Sequence, residues 1–216
     1  RPFIIQLTPE GDEQFRLSYG QGRQRIAALA RGLLKRGLKR GEAVAIVAAN
    51  SADYLVLYMA TMAAGLVSVC VNHKLPRETV AHIMKDSGIR LAIADAERSA
   101  LVSALVPTVP MEQIDTLLDA GPFDAVDMRP EEVAMVLYTS GSTGLPKGAV
   151  LTHGNVTWNS VNTITSWGLS GQHKAALQLP FFHIGGPNIF MAPLVHAGGT
   201  TILCSGFDAD ETFDLL

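Results

Sequence analysis

The chain has 216 residues, of which 48% are hydrophobic and 17% are charged, and its formal net charge is −3. This length and hydrophobic content exclude a disordered chain, and the negative charge excludes a generally basic nucleic-acid binder. The two cysteines, Cys70 and Cys204, are too few for a disulfide scaffold. We therefore expect buried, reduced thiols in a cytoplasmic protein.

The first half of the chain repeats a buried strand followed by a helix. Three short apolar runs predict strands that are buried on both faces: residues 43–49, 66–71 and 91–94. A helical pattern follows each run, with Ser51, Pro76 and Asp95 placed to begin the helices. This rhythm predicts an α/β fold with layered, mostly parallel sheets and helices on both faces.

An amphipathic helix is predicted before these units, at residues 21–39. Its apolar side consists of Ile26, Leu29, Ala30, Leu33 and Leu34. Its end carries a basic cluster of Arg31, Lys35, Arg36, Lys39 and Arg40. We interpret this cluster as a solvated helix end, where the helix dipole favours cations. An RNA or phospholipid patch is the alternative, although no aromatic residue interleaves the basic ones.

The uncharged run at residues 54–71 has 18 residues, just enough to span a membrane. Its front half is helix-like, its back half is rich in β-branched residues, and Gly65 divides the two. We therefore predict a buried helix, a glycine cap and a buried strand, and no transmembrane segment.

Residues 107–132 differ in composition from the residues before them, because they contain four prolines and seven acidic residues. We predict a connecting segment there. The strand–helix units of residues 1–106 precede it, and residues 133–216 follow it. The later part is predicted to contain strands and helices again: strands at 133–138, 175–179 and 200–204, and helices from about Thr152 and at 186–196.

Between Val133 and Phe207 the charged side chains are Lys147 and Lys174, and there is no carboxylate. A site for an anionic ligand would have this pattern, because nearby carboxylates would repel the ligand. A sheet core that excludes charge would have it as well.

Six consecutive residues within this stretch, 139–144, are all Ser, Thr or Gly, and Lys147 follows them closely. Small residues let backbone N–H groups approach an anion, and hydroxyls add further donors. The loop differs from that of P-loop NTPases, since Pro146 and Gly148 stand where that pattern requires Gly and Ser or Thr. A P-loop phosphotransferase would also require an acid near Lys147. A flexible Ser/Gly loop is the structural alternative.

Residues 138–148, with Thr152-His153-Gly154-Asn155 after them, resemble the signature of the adenylate-forming superfamily. Acyl-CoA synthetases, peptide-synthetase adenylation domains and firefly luciferase belong to this superfamily. A second block, residues 179–186, resembles its aromatic–His–Gly segment at the acyl site. The resemblance covers essentially the whole chain, which has less than half the length of a typical member. We expect an N-terminal part of the large domain in a longer protein.

The resemblance implies an ATP-dependent carboxylate–CoA ligase that forms an acyl-adenylate and then a CoA thioester, with ATP, Mg²⁺ and coenzyme A. Five residues would wrap the β- and γ-phosphates: Ser140, Gly141, Ser142, Thr143 and Gly144. Lys147 would pair with the same phosphates, and the hydroxyl of Thr139 would help to hold magnesium. His183 would lie at the mouth of the acyl site, where it stabilises developing charge or gates access.

Alternatives remain at the level of function and of single residues. An adenylation domain that loads a carrier protein, or a nucleotide-binding module without turnover, would fit the same motifs. We expect the isolated 216-residue chain to bind nucleotide weakly and not to turn over. His183 could instead be a core histidine, and we predict a structural role for His153 and core positions for Trp158 and Trp167. Apolar neighbours of His183 favour an aromatic or a medium or long acyl substrate, as in fatty acid metabolism, and a homodimer is compatible with the sequence.

Overall fold

The structure is a computed structural model that describes residues 1–139, 144–204 and 206–215. The chain forms two compact units. The first comprises Arg1–Arg23, Asn50–Ala52 and Asn155–Leu216, and the second comprises Gln24–Ala49 and Asp53–Gly154. Each unit is built around one β-sheet.

The described elements follow one another as mixed strands and helices. The strands are β1 (Pro2–Leu7), β2 (Glu13–Ser18), β3 (Ala43–Val47), β4 (Val67–Cys70), β5 (Ile89–Ala94), β6 (Thr108–Pro110), β7 (Val133–Thr139), β8 (Lys147–Thr152), β9 (Lys174–Leu177) and β10 (Thr200–Leu203). The α-helices are α1 (Tyr19–Lys35), α2 (Ala52–Ala63), α3 (Arg77–Asp86), α4 (Ala96–Val102), α5 (His153–Trp167), α6 (Ala192–Ala197) and α7 (Ala209–Leu215). A 3₁₀-helix spans Met111–Leu117, and a π-helix spans Gly186–Met191.

The second unit contains a six-stranded sheet in the order β6-β5-β3-β4-β7-β8. Its strands are parallel except for the antiparallel pair β7–β8 at one edge. Every residue of β3 and β4 is buried, which explains why these strands are continuous apolar runs in the sequence. The predicted α/β fold with mostly parallel sheets is confirmed.

Helices cover both faces of this sheet. On one face, Val47 and Val69 belong to a core cluster that includes Val80 and Ile83 of α3. On the other face, the hydroxyls of Ser68 and of Thr61 in α2 are hydrogen-bonded to each other. Since side chains alternate along a strand, neighbouring residues of β4 supply the two faces.

The first unit contains a four-stranded sheet in the order β2-β1-β10-β9. Strand β1 runs parallel to β10, with Ile4 opposite Thr201, and antiparallel to β2. The ring of Phe3 lies 5.2 Å from that of Tyr19 at the start of α1. A Cβ on Gly22 would lie 2.4 Å from the Phe3 ring, so this close approach requires glycine.

Residues 107–132, expected to be a connection, contribute β6 beside β5 and the 3₁₀-helix. Strand β6 is at the sheet edge, where prolines such as Pro107 and Pro110 are tolerated. Acidic residues of this segment also pair with the basic cluster. Asp119 binds Arg31 at 2.8 Å and Lys35 at 3.1 Å. The basic cluster was predicted to be a solvated helix end. The ion pairs show that Arg31 and Lys35 of this cluster also have an acidic partner.

The uncharged run at residues 54–71 forms most of α2 followed by β4, and Gly65 between them has a φ of +70°. Within the described residues, no helix is long and apolar enough to cross a membrane. Cys70 and Cys204 are buried, and within the described residues neither forms a disulfide, as predicted.

The predicted core positions of Trp158 and Trp167 are wrong. The two side chains are 66% and 54% exposed, and Ser160 is the residue that α5 buries among those described. Nine residues correspond to two and a half helical turns, so the two indoles project from opposite sides of α5 and cannot share one buried stripe.

Candidate functional site

Thr139 and Lys147 lie opposite each other where the hairpin of β7 and β8 opens into its loop. Strand β7 runs parallel to β4, so the loop leaves the sheet at the carboxyl edge of its parallel strands. Ligands of open α/β sheets bind at this edge. The predicted phosphate ligands Ser140, Gly141, Ser142 and Thr143 lie outside the described residues. The structure thus brings together the two ends of the predicted phosphate loop.

Lys147 is exposed, and no ion pair between described residues involves it. Gly144 has a φ of +109°, in the region that favours glycine, and a Cβ there would meet nothing within 4 Å. An exposed ammonium group that has no acidic partner among the described residues suits a multiply charged anion such as a polyphosphate.

Tyr138, directly before the loop, is tied to α3 by its hydroxyl, which donates a 2.6 Å hydrogen bond to Oδ2 of Asp86. Burial, together with the neighbouring Asp86 carboxylate, raises the pKa of Tyr138 to about 12. Gly148 lies opposite Tyr138, and a Cβ there would be 2.9 Å from Cγ1 of Val136. Tyr138 belongs to the motif of residues 138–148, but nothing in the sequence indicates that it meets Asp86.

The described residues contain no group of three or more His, Cys, Asp or Glu that could hold a metal ion. His153 begins α5, and its backbone N–H donates to the carbonyl of Glu132 at 2.9 Å. Burial lowers the pKa of His153.

His183 belongs to the first unit, in the segment between β9 and the π-helix. Its backbone N–H donates to the Pro180 carbonyl at 3.1 Å, and its ring Nδ1 accepts the N–H of Gly185 at 3.2 Å. Because Nδ1 is an acceptor, this hydrogen bond assigns the proton of the neutral ring to Nε2. The imidazole is exposed, which excludes the alternative of a core histidine in the described structure.

The surroundings of His183 are apolar. Ile184 and Ile189 are 40% and 39% exposed, and Phe190 packs against Trp167 with ring centroids 5.3 Å apart. The single turn of π-helix that follows is a rare structure that occurs frequently at functional sites. The sequence predicted one helix at residues 186–196, and the structure divides it into this π-helix and α6.

Comparison with known proteins places these features in a family. The model of the AMP-binding enzyme family matches residues 1–216. A feruloyl-CoA synthase from an Amycolatopsis species is 37% identical over 196 residues, which cover 89% of this chain and 40% of that protein. An indoleacetate–CoA ligase from Aromatoleum aromaticum is 32% identical over 225 residues, covering 96% and 43%.

The fold matches solved structures over its whole length. ATP-bound MatB from Rhodopseudomonas palustris superimposes with a TM-score of 0.90 at 26% identity, covering 100% of this chain and 44% of that one. The chain thus spans 40% to 44% of the length of these relatives. With its loop of small residues on the β7–β8 hairpin and a family match over all its residues, the chain belongs to the AMP-binding enzymes.

Proposed function

We infer that the protein containing this chain is an ATP-dependent carboxylate–CoA ligase whose substrate is an aromatic carboxylic acid. The hairpin that puts Lys147 opposite Thr139 carries this proposal, because it places a cation and a hydroxyl at the ends of a loop suited to phosphates. The two relatives described above support the substrate class, since they are named for ferulate and indoleacetate, which are aromatic acids.

The reaction has two steps. An oxygen of the substrate carboxylate attacks the α-phosphorus of ATP, the bond to the bridging oxygen breaks, and pyrophosphate leaves. The thiolate of coenzyme A then attacks the acyl carbon, and AMP leaves as the thioester forms. Positioning and charge stabilisation supply most of the catalysis in the first step.

On the phosphate side, Nζ of Lys147 would pair with the β- and γ-phosphates and stabilise the charge that moves onto the departing pyrophosphate. The hydroxyl of Thr139 would bind the Mg²⁺ that enters with ATP. Backbone N–H groups of residues 140–144 would donate to the same phosphates. The absence of carboxylates from Val133 to Phe207 supports this assignment, because no acidic side chain of that stretch competes for Lys147.

On the acyl side, His183 has a donor available. With its proton on Nε2, the neutral ring would donate to an oxygen of the substrate carboxylate and stabilise charge there. The exposed apolar residues Ile184 and Ile189 would contact the aromatic part of the acid. Burial of the aromatic ring against these residues would favour binding by about 25 cal/mol per Å² of apolar surface removed from water.

The test is carboxylate-dependent ATP–pyrophosphate exchange by the full-length protein with hydroxycinnamic, indole, benzoic and fatty acids. We expect exchange with aromatic acids, and a loss of about 100-fold in the Lys147→Ala variant. Lys174→Ala is the matched control, because Lys174 is the other charged residue of the stretch and lies on β9. This control is expected to exchange at the wild-type rate.

Other outcomes decide against the proposal. If a folded protein that binds ATP shows no exchange with any acid, it is a nucleotide-binding module. If exchange occurs but the acyl group passes to a carrier-protein thiol and not to coenzyme A, the protein is an adenylation domain. Exchange with fatty acids alone would overturn the aromatic substrate class.

A further inference from the structure

Asn50 makes two hydrogen bonds to the backbone of the segment that leads to His183. Its side-chain Nδ2 donates to the carbonyl of Leu179 at 2.8 Å, and its Oδ1 accepts the N–H of Phe181 at 2.9 Å. These partners are 129 and 131 residues away in sequence, and all three residues belong to the first unit. A single side chain thus holds both sides of Pro180.

The amide of Asn50 supplies both groups that this backbone needs. Leu179 offers an acceptor and Phe181 a donor, so a side chain that satisfies both must carry a donor and an acceptor, as an amide does. Pro180 between them has no N–H, and β9 ends before it, at Leu177. The amide of Asn50 therefore binds backbone groups that lie outside the sheet.

The position of Asn50 is itself fixed. Two residues further on, the backbone N–H of Ala52 donates to Oε1 of Gln6 at 2.8 Å, and Gln6 is part of β1. The side chain of Gln6 is held in turn by Gln14 on β2, at 3.0 Å. The amide of Asn50 therefore extends from a stretch that is bonded to the sheet of the first unit.

The held segment determines where the His183 ring lies. Phe181 is buried, with 2% of its surface exposed, and the Pro180 carbonyl accepts the N–H of His183 at 3.1 Å. A Cβ on Gly186 would lie 2.5 Å from the same carbonyl oxygen, so the turn is tightly closed. A displacement of residues 179–181 would consequently move the imidazole.

We propose that Asn50 is a positioning residue for the acyl site: its amide fixes the Leu179–Phe181 backbone and thereby sets the place of His183. This inference rests on the proposed ligase function. Asn50 acts through this backbone and not on ATP, so its loss affects the acid substrate and spares nucleotide binding.

The test uses the full-length protein with Asn50→Asp and Asn50→Ala. The Asp variant has nearly the same shape, but it turns a carboxylate oxygen toward the Leu179 carbonyl and loses the donor. We expect kcat/KM for the acid to fall by about 10- to 100-fold in both variants, through a higher KM and a lower kcat. The affinity for ATP is expected to stay at its wild-type value.

Two further measurements separate positioning from general stability. In a His183→Ala background, Asn50→Ala should cost much less, because the residue that it positions is already removed. Thr165→Ala is the control, since it deletes one side-chain-to-backbone hydrogen bond, to Val161, at an exposed site of the same unit. In the substrate-free protein, hydrogen exchange at the Phe181 amide should accelerate in Asn50→Ala and not in the control.

Each alternative result has a distinct meaning. An active wild type with unchanged acid kinetics in the Asn50 variants overturns this inference and leaves the proposed function intact. Additive effects of Asn50 and His183, or parallel losses of ATP and acid binding with a lower Tm, assign Asn50 a merely structural role. A wild type that is inactive with every acid removes the proposed function, and this inference with it.

Discussion

Tyr138 and Asp86 join the last turn of α3 to the strand that precedes the predicted phosphate loop, through a hydrogen bond across 52 residues of sequence. The bond links a loop-bearing strand at one side of the sheet to a helix that packs on the sheet face. Because Thr139 is the next residue, the orientation of Tyr138 constrains where the loop begins.

Removal of this bond is expected to weaken nucleotide binding. Tyr138→Phe keeps the ring but loses the hydroxyl that donates to Asp86. We expect ATP to bind about threefold to tenfold more weakly, because water replaces only part of this hydrogen bond to a charged group at a half-buried site. Isothermal titration of the full-length protein with ATP measures the effect. Asp86→Asn retains an acceptor oxygen and should change the affinity less. Equal ATP affinity in Tyr138→Phe and wild type would contradict the anchoring role.

A methyl group at Gly148 should disturb the same hairpin. The Cβ would lie 2.9 Å from Cγ1 of Val136 and 3.2 Å from Cζ of Tyr138, so Gly148→Ala has to displace one of these side chains. We expect a loss of about 1–3 kcal/mol in the free energy of unfolding. Ala149→Ser is the control, because Ala149 is exposed on the next position of β8. Thermal unfolding of the two variants side by side measures the difference.

Two glycines of α1 should respond in opposite directions to the same substitution. A Cβ on Gly32 would lie 1.5 Å from the Leu117 carbonyl oxygen, whereas on Gly20 the nearest atom is 4.0 Å away. Gly20→Ala is expected to be neutral or to stabilise the protein by up to about 1 kcal/mol, through helix propensity. Gly32→Ala should destabilise it by about 3 kcal/mol or less, as overpacking against the backbone usually does. Denaturant unfolding distinguishes the two, and a stabilised Gly32→Ala variant would contradict the close contact.

Part of the stability that the protein loses as the pH becomes acidic should come from Glu132. The guanidinium of Arg40 and the backbone N–H of Arg129 donate to this carboxylate and lower its pKa from 4.5 to about 2. A pKa that is lower in the folded state means that the contribution is complete above pH 4.5 and is lost as the pH falls toward 2.

The pH dependence of Tm in Glu132→Gln measures this contribution. The variant should have a lower Tm than wild type above pH 4.5, and the two curves should approach each other as the pH falls toward 2. Glu131→Gln is the control, because the neighbouring Glu131 is exposed. A constant difference between the Glu132→Gln and wild-type curves across this range would refute the assignment.

Much of the parallel sheet could be predicted from the sequence, because its strands are buried on both faces. The run at residues 43–49 corresponds to β3, and Asp95 caps α4 as expected, with its side chain accepting the N–H of Arg98. In such places burial, strand pattern and cap chemistry all agree, and each is a local property of the sequence.

Edge strands and distant contacts could not be predicted in this way. Strands β2 and β8 both expose most of their residues, so neither has the pattern of a buried strand. The motif predicts Thr139 and Lys147 as site residues. The hydrogen bonds of Asn50 to residues 179 and 181, in contrast, depend on the tertiary fold. The motif predicts residues that contact a ligand, whereas the hydrogen bonds that position a segment are visible only in the fold.

The pairing of β1 with β10 has a consequence for how the protein is made. Every strand of the six-stranded sheet lies between residues 43 and 152, so that sheet can form before β9 and β10 have emerged from the ribosome. Strand β1 is synthesised before this sheet, whereas its neighbour Thr201 is synthesised after it. Until then β1 has one unpaired edge, and Ile4, fully buried in the finished fold, is open to other chains. Nascent chains that stall before residue 200 are therefore expected to aggregate through β1, and to depend on chaperones that shield this edge.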